Sequence, residues 1–231
     1  MKRHIPNLIT LLNLLCGSIA VIQAVEGNLL GAAIWVVLGI FFDFFDGFFA
    51  RLLHVKSDLG LQLDSLADMV TAGLVPAIVM YQLLGKSHLV VANDTLAGSL
   101  LPYFGLLIAL ASAYRLAKFN IDTRQSDGFI GLPTPANALL ILSLPFVSFT
   151  FIADLLSNTW LLIGITLLSS YLLNAEIRLI ALKFKNYRWA DNQLKYLLIL
   201  FSAVSLIVLR QSAVPLIILF YIGISVFAKA K

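Results

Sequence analysis

Four aspartates on two neighbouring apolar stretches are the residues of this chain best equipped for chemistry: Asp43 and Asp46 in one, Asp64 and Asp68 in the next. On a helix turning about 100° per residue, Gly39, Asp43, Asp46, Gly47 and Ala50 share an arc of roughly 100°. Phe41, Phe42, Phe44, Phe45, Phe48 and Phe49 fill the opposite side. Gly60, Asp64, Asp68 and Thr71, spaced by four, four and three, align in the same way on the second helix. Each helix therefore offers two carboxylates from a face cleared of bulk. Four like charges in a partly dry site repel one another unless cations neutralise them, and Arg51 is the one basic partner on these helices. Hard oxygen ligands without His or Cys point to Mg²⁺ or Mn²⁺, and a two-metal cluster bridging substrate phosphates is the common use of such a cage. Gly47, Ala50 and Gly60 let a phosphate or nucleotide approach the backbone.

The elements that must position these groups are membrane spans. Of 231 residues 60% are hydrophobic and 12% charged, and the mean hydropathy is +0.95, too apolar for a soluble domain. A transmembrane helix needs about 20 mostly apolar residues. Eight such stretches are expected, centred near Ala20, Val36, Leu74, Leu107, Ile141, Ile165, Ile199 and Leu219. The expected fold is thus an all-α polytopic membrane protein, a single catalytic domain with a six-helix core over about residues 1–182 and a helical pair over about 193–229. The basic start Met1-Lys2-Arg3 precedes an apolar stretch without a small-residue cleavage site, so that stretch reads as a retained helix. Cys16 is the only cysteine, which leaves no internal disulfide and suggests a small packing residue.

The eight residues Leu52 to Leu59 make the second and third helices antiparallel neighbours. Asp43 lies eight residues before Arg51 and Asp68 eight after Gly60, about 12 Å along the axis in each case. All four carboxylates can then meet at one depth, just inside the cytoplasmic surface, where ionisable groups are costly and mark function by default. Basic residues near span ends stay in the cytoplasm. With the amino terminus inside, Lys2, Arg3, Arg51, Lys56, Arg115, Lys118, Arg124, Arg178, Lys183, Lys185, Arg188, Lys195, Lys229 and Lys231 all fall inside, leaving Lys86 and Arg210 outside. The formal net charge of +4 describes a basic rim facing anionic lipid and gives no reason to invoke nucleic acid.

The pattern Asp43-x-x-Asp46-Gly47-x-x-Ala50-Arg51, then eight residues, Gly60-x-x-x-Asp64-x-x-x-Asp68 resembles in full the signature of the CDP-alcohol phosphotransferases. Pro6-Asn7-x-x-Thr10-x-x-Asn13-x-x-Cys16-Gly17, Asp64 to Val70, Tyr114 to Asn120 and Gly131 to Asn137 look like the serine-using branch of that family. The resemblance runs from the amino terminus to about Asn137. It implies attack of the serine hydroxyl on the phosphorus of CDP-diacylglycerol, with release of CMP. Asp43, Asp46, Asp64 and Asp68 would hold the metals, and Asp68 would also be general base. Asn7, Asp43, Gly47, Ala50, Arg51 and Gly60 would bind the CDP moiety. The expected partners are CDP-diacylglycerol, L-serine, membrane lipids and a second copy of the chain, in the cell membrane with the active site on the cytoplasmic side.

Serine brings a carboxylate toward four aspartates, so it needs cationic and amide partners. Arg115, Lys118 and Asn120, at the inner end of the fourth span, are the expected ones. Another acceptor alcohol, glycerol phosphate or an inositol phosphate, is the alternative within the family; it would want a denser Arg and Lys cluster. A cation or proton transporter also buries aspartates, but a conduction path needs polar residues through the whole depth, and the outer halves of these spans are apolar.

Overall fold

In hydrocarbon every backbone N–H and C=O must be paired within the chain, and apolar runs of this length satisfy that demand as helices. The computed structural model describes residues 4–55, 57–92, 95–122, 129–180, 186 and 188–228. Of the inner-face cations, Lys2, Arg3, Lys56, Arg124, Lys183, Lys185, Lys229 and Lys231 lie outside the described residues. The main helices are α1 (His4–Val25), α2 (Leu29–Leu52), α3 (Asp58–Gly85), α4 (Leu107–Ile121), α5 (Thr134–Ser143), α6 (Thr159–Asn174), α7 (Trp189–Leu209) and α8 (Ala213–Ala228). Short helices His88–Ala92, Leu96–Leu100 and Thr150–Leu156 occupy connectors.

Among the described residues five helical stretches are long and apolar enough to cross a membrane: α1, α2, α3, Gly98–Ile121 and Asn192–Phe227. Two further apolar helices, Thr134–Phe146 and Thr159–Asn174, are shorter than the roughly 20 residues a perpendicular crossing needs. The last long stretch folds back. A 3₁₀ turn at Arg210–Ser212 separates α7 from α8, and the rings of Phe201 and Phe220 stack with centroids 4.0 Å apart. Unbroken helix would hold them roughly 30 Å apart. The first helix also begins earlier than its apolar centre near Ala20 suggests. Pro6 fits a first helical turn, whose N–H groups have no intrahelical partner anyway, so α1 starts at His4 and carries Asn7, Thr10 and Asn13 into the inner half of the bundle.

Small residues let α1, α2 and α3 approach closely, as is usual where lipid removes the hydrophobic drive for helix association. Ala20, Ala24, Ala32 and Val36 are fully buried between the first two helices and the core. A Cβ on Gly17 would collide with Thr71 Oγ1 and stand 3.0 Å from the Thr71 backbone. One on Gly39 would meet Thr71 Cγ2 at 2.7 Å and Asn13 Oδ1 at 2.9 Å. Gly39 and Thr71, which share faces with the aspartates, thus serve the packing of three helices. Thr71 Oγ1 donates to the Asn13 carbonyl at 3.2 Å.

The α2–α3 connection is built from caps. Val55 N–H donates to the Ala50 carbonyl at 3.0 Å and His54 N–H to the Arg51 carbonyl at 3.2 Å, the paired bonds of a Schellman ending. His54 takes the left-handed residue of that motif, φ 53°. Ser57 caps α3 by accepting from Gly60 N–H at 3.0 Å, as a serine at this position commonly does. At its middle α3 widens into a π turn over Met69–Leu74, directly after Asp68.

The departure from all-helical structure is small. Two-residue strands, β1 (Phe129–Ile130) and β2 (Arg178–Leu179), pair antiparallel. Next to them Gly131, at φ 76°, lies where a Cβ would collide with the Leu173 carbonyl oxygen. Its N–H donates to the Ile177 carbonyl at 2.9 Å, and Leu132 N–H to the Leu172 carbonyl at 2.8 Å. The amino end of α5 is thereby pinned to the end of α6.

Candidate active site

Antiparallel α2 and α3 bring their carboxylates together as the spacing predicts, and the geometry divides the four. One carboxylate oxygen from each of Asp43, Asp46 and Asp64 lies within 4.8 Å of the others. Asp68, one turn farther along α3, stands outside that triplet and accepts from Asn13 Nδ2 at 3.2 Å. Asp46 has 7% of its surface exposed and accepts from Thr10 Oγ1 at 2.5 Å. Thr10 and Asn13, three residues apart on α1, orient one carboxylate on each of the other two helices. The apolar pattern of α1 hides this role, because one Thr and one Asn on a membrane helix read equally well as packing residues.

Among the described residues none of the four carboxylates forms an ion pair with Lys or Arg. Arg51 Nε donates instead to the Gly47 carbonyl at 2.9 Å on its own helix, and the side chain is exposed. The triplet consists of hard anionic oxygens with no His or Cys, converging at a spacing one or two divalent cations can bridge. That donor set fits Mg²⁺ or Mn²⁺. Thiolate-seeking metals find no partner there, since Cys16 is buried in the α1 packing.

Beside the triplet lies a cavity of about 560 Å³, within the usual range for a small-molecule site. Asp46 and Asp64 form its inner wall; Asn7, Gly47, Ala50 and Gly60 line it, and Val55 and Asp58 stand among its other walls. Nothing lies within 4 Å of where a Gly47 Cβ would be. Gly60 has Asn7 Oδ1 at 3.2 Å from that position, so its lack of a side chain admits the first helix to the cavity. The residues expected around a nucleotide are gathered here, except that Asp43 and Arg51 are not among the lining ones.

The expected acceptor residues separate. Lys118 pairs with Glu176 at 3.6 Å, both partly exposed. Asn120 and Ser65 hydrogen-bond to each other, with Nδ2 to Oγ at 2.9 Å. Arg115 turns inward: it is 7% exposed, its guanidinium lies 5.9 Å above the Phe119 ring, and it is near enough to Asp68 and Tyr221 to interact electrostatically with both.

The sequence profile described as CDP-alcohol phosphatidyltransferase matches residues 3–172. Several curated relatives carry the name CDP-diacylglycerol–serine O-phosphatidyltransferase, among them three from different organisms. The Bacillus subtilis protein is 37% identical over 147 residues, 62% of this chain and 76% of the relative. The Helicobacter pylori protein is 34% identical over 138 residues, 59% of this chain and 54% of the relative. The Methanocaldococcus jannaschii protein is 34% identical over 137 residues, 59% and 58% of the two chains. The matched stretch therefore spans three quarters of the first relative and little more than half of the other two. With the profile covering most of its length, the chain belongs to the CDP-alcohol phosphatidyltransferase family.

Proposed function

We propose that this membrane protein transfers the phosphatidyl group of CDP-diacylglycerol to the hydroxyl of L-serine, giving phosphatidylserine and CMP. The observation that carries the reading is the convergence of Asp43, Asp46 and Asp64 within 4.8 Å beside a cavity that Asp46 and Asp64 line together with Asn7, Gly47, Ala50 and Gly60. The relatives' names supply the donor and the acceptor.

Asp43, Asp46 and Asp64 would hold Mg²⁺ or Mn²⁺, with Asp68 beside them. Bound there, the metal supplies neutralisation of the diphosphate and of the departing CMP. The open backbone at Gly47 gives the cytidine phosphate room against α2. Asp68, held by Asn13, takes the proton of the serine hydroxyl as the oxygen–phosphorus bond forms and the bond to CMP breaks. A neutral hydroxyl is a poor nucleophile, and a positioned base typically contributes 10²–10⁴-fold. The site opens toward the cytoplasmic face of the cell membrane in this reading, and the protein works as a homodimer. The catalytic core spans about residues 1–182, and the helical pair over about 193–229 is added to it.

The test is an acceptor panel. Purified protein in vesicles containing CDP-diacylglycerol, given labelled serine, glycerol 3-phosphate or inositol phosphate, should release CMP and form lipid product with serine alone. Faster product formation with either phosphorylated alcohol would replace serine as the acceptor.

A further inference from the structure

Buried polar groups in folded proteins nearly always find partners, and each exception calls for a reason. Among the described residues, the amino end of α5 and the inner part of α4 hold several exceptions. Asn137 is fully buried, and neither its amide nitrogen nor its amide oxygen has a partner. Thr134, 1% exposed, has an unpartnered hydroxyl, and Arg115, 7% exposed, an unpartnered Nε. No side chain caps the first turn of α5, where free N–H groups favour an anion.

These groups belong to one neighbourhood. Tyr221 of α8 packs against the buried cluster that includes Leu132 and Leu140; its hydroxyl donates to the Ile180 carbonyl at 3.0 Å, and it is within electrostatic reach of Arg115. Arg115 is in turn within reach of Asp68. Ala138 and Ile141, farther along α5, join the core with Ala72 and Val75. α4 and α5 each pack against the π turn over Met69–Leu74, which directly follows Asp68.

We propose that Asn137 and Thr134, together with Arg115, form the subsite for the amino and carboxylate groups of the acceptor, an inference that rests on the phosphatidyl transfer proposed above. The Arg115 guanidinium, the Thr134 hydroxyl and the Asn137 amide nitrogen are donors suited to a carboxylate. The Asn137 amide oxygen is an acceptor suited to an ammonium. A zwitterion uses both, whereas a phosphorylated alcohol offers a dianion to one guanidinium and finds no use for the amide oxygen. Tyr221 makes α8 a wall of this subsite, although the family profile ends at residue 172.

The test is steady-state kinetics of the full chain in vesicles, with serine and CDP-diacylglycerol varied in turn, alongside thermal unfolding. Asn137→Ala should raise KM for serine on the order of tenfold to a hundredfold, the range for a lost hydrogen bond to a charged group. KM for CDP-diacylglycerol should stay within about twofold. The unfolding midpoint should hold or rise, because the substitution removes a buried amide that lacks protein partners. Thr134→Val, nearly equal in shape, should move the serine KM the same way by a smaller factor. An unchanged serine KM in both variants, or a lowered midpoint with both KM values rising together, would overturn the subsite. Wild-type protein that makes no lipid from serine would instead overturn the transfer reading beneath it, whatever the variants do.

Discussion

The two sides of Asp68 are furnished in opposite ways. Toward α1 and α2, polar groups are largely committed to one another: Thr10 to Asp46, Asn13 Nδ2 to Asp68, Thr71 to the Asn13 carbonyl, with carboxylates in excess and the Asn13 amide oxygen left over. Toward α4 and α5, the buried groups are donors and neutral amides, several without partners. An excess of fixed carboxylate is a demand for cations, and so for the phosphates that cations bridge. Buried unpartnered donors are a demand for an anion of the ligand. The first side therefore suits the diphosphate of the donor lipid and the second a small charged acceptor, with Asp68 between them where the proton must move.

Substitutions on either side probe that contrast. The largest loss is expected on the carboxylate side. Asp43→Asn or Asp64→Asn removes part of the charge that would hold the cations neutralising the diphosphate, and CMP release at saturating Mg²⁺ should fall on the order of 10³-fold or more. Asp68→Asn should lower kcat by roughly 10²–10⁴-fold and leave the KM for CDP-diacylglycerol nearly unchanged. Wild-type turnover in that variant would remove Asp68 from the role of base.

On the acceptor side, Arg115→Ala should cost about 2–5 kcal/mol, the range for truncating one partner of a buried charge pair, read mainly as a higher serine KM. Arg115→Lys should recover part of it, since an ammonium lacks the guanidinium fork. Equal serine constants in both variants and wild type would return Arg115 to a packing role.

A pair of glycines separates cavity from scaffold. Gly39→Ala must push into Thr71 and Asn13 and should lower stability by about 1–3 kcal/mol, measured by thermal unfolding in detergent. Gly47→Ala meets open space, so stability should hold while the KM for CDP-diacylglycerol rises. The smallest effect is expected from Lys118→Ala. Its partly exposed pair with Glu176 is worth about 0–1 kcal/mol, and the serine KM should change less than twofold.

Much of this architecture can be read from the residues themselves. The spacing of Asp43, Asp46, Asp64 and Asp68 is enough to place two facing helices, because a carboxylate in an apolar run is too costly to persist without a partner or a task. Thr10 and Asn13 are not readable as positioning residues, since their partners lie 36 and 55 residues away and no local pattern reports so distant a contact. The π turn after Asp68 leaves no trace in composition. Arg115 and Lys118 are three residues apart and both cationic; only the tertiary surroundings, Glu176 for Lys118 and the buried neighbourhood of Asp68 and Tyr221 for Arg115, tell them apart. The helices at Thr134–Phe146 and Thr159–Asn174 merge with their apolar connectors in hydropathy, so hydropathy alone suggests eight full crossings.

If a divalent cation on the α2–α3 carboxylates drives transfer of the phosphatidyl group to serine, turnover must depend on both the cation and the acceptor. The direct measurement strips purified protein of metal, adds CDP-diacylglycerol and labelled serine, and titrates Mg²⁺ or Mn²⁺ while CMP and lipid product are both counted. No turnover without metal, then CMP and phosphatidylserine appearing in equal amounts as the cation is restored, is the predicted result. Full turnover in the verified absence of divalent metal, or CMP release that needs no serine, would contradict it.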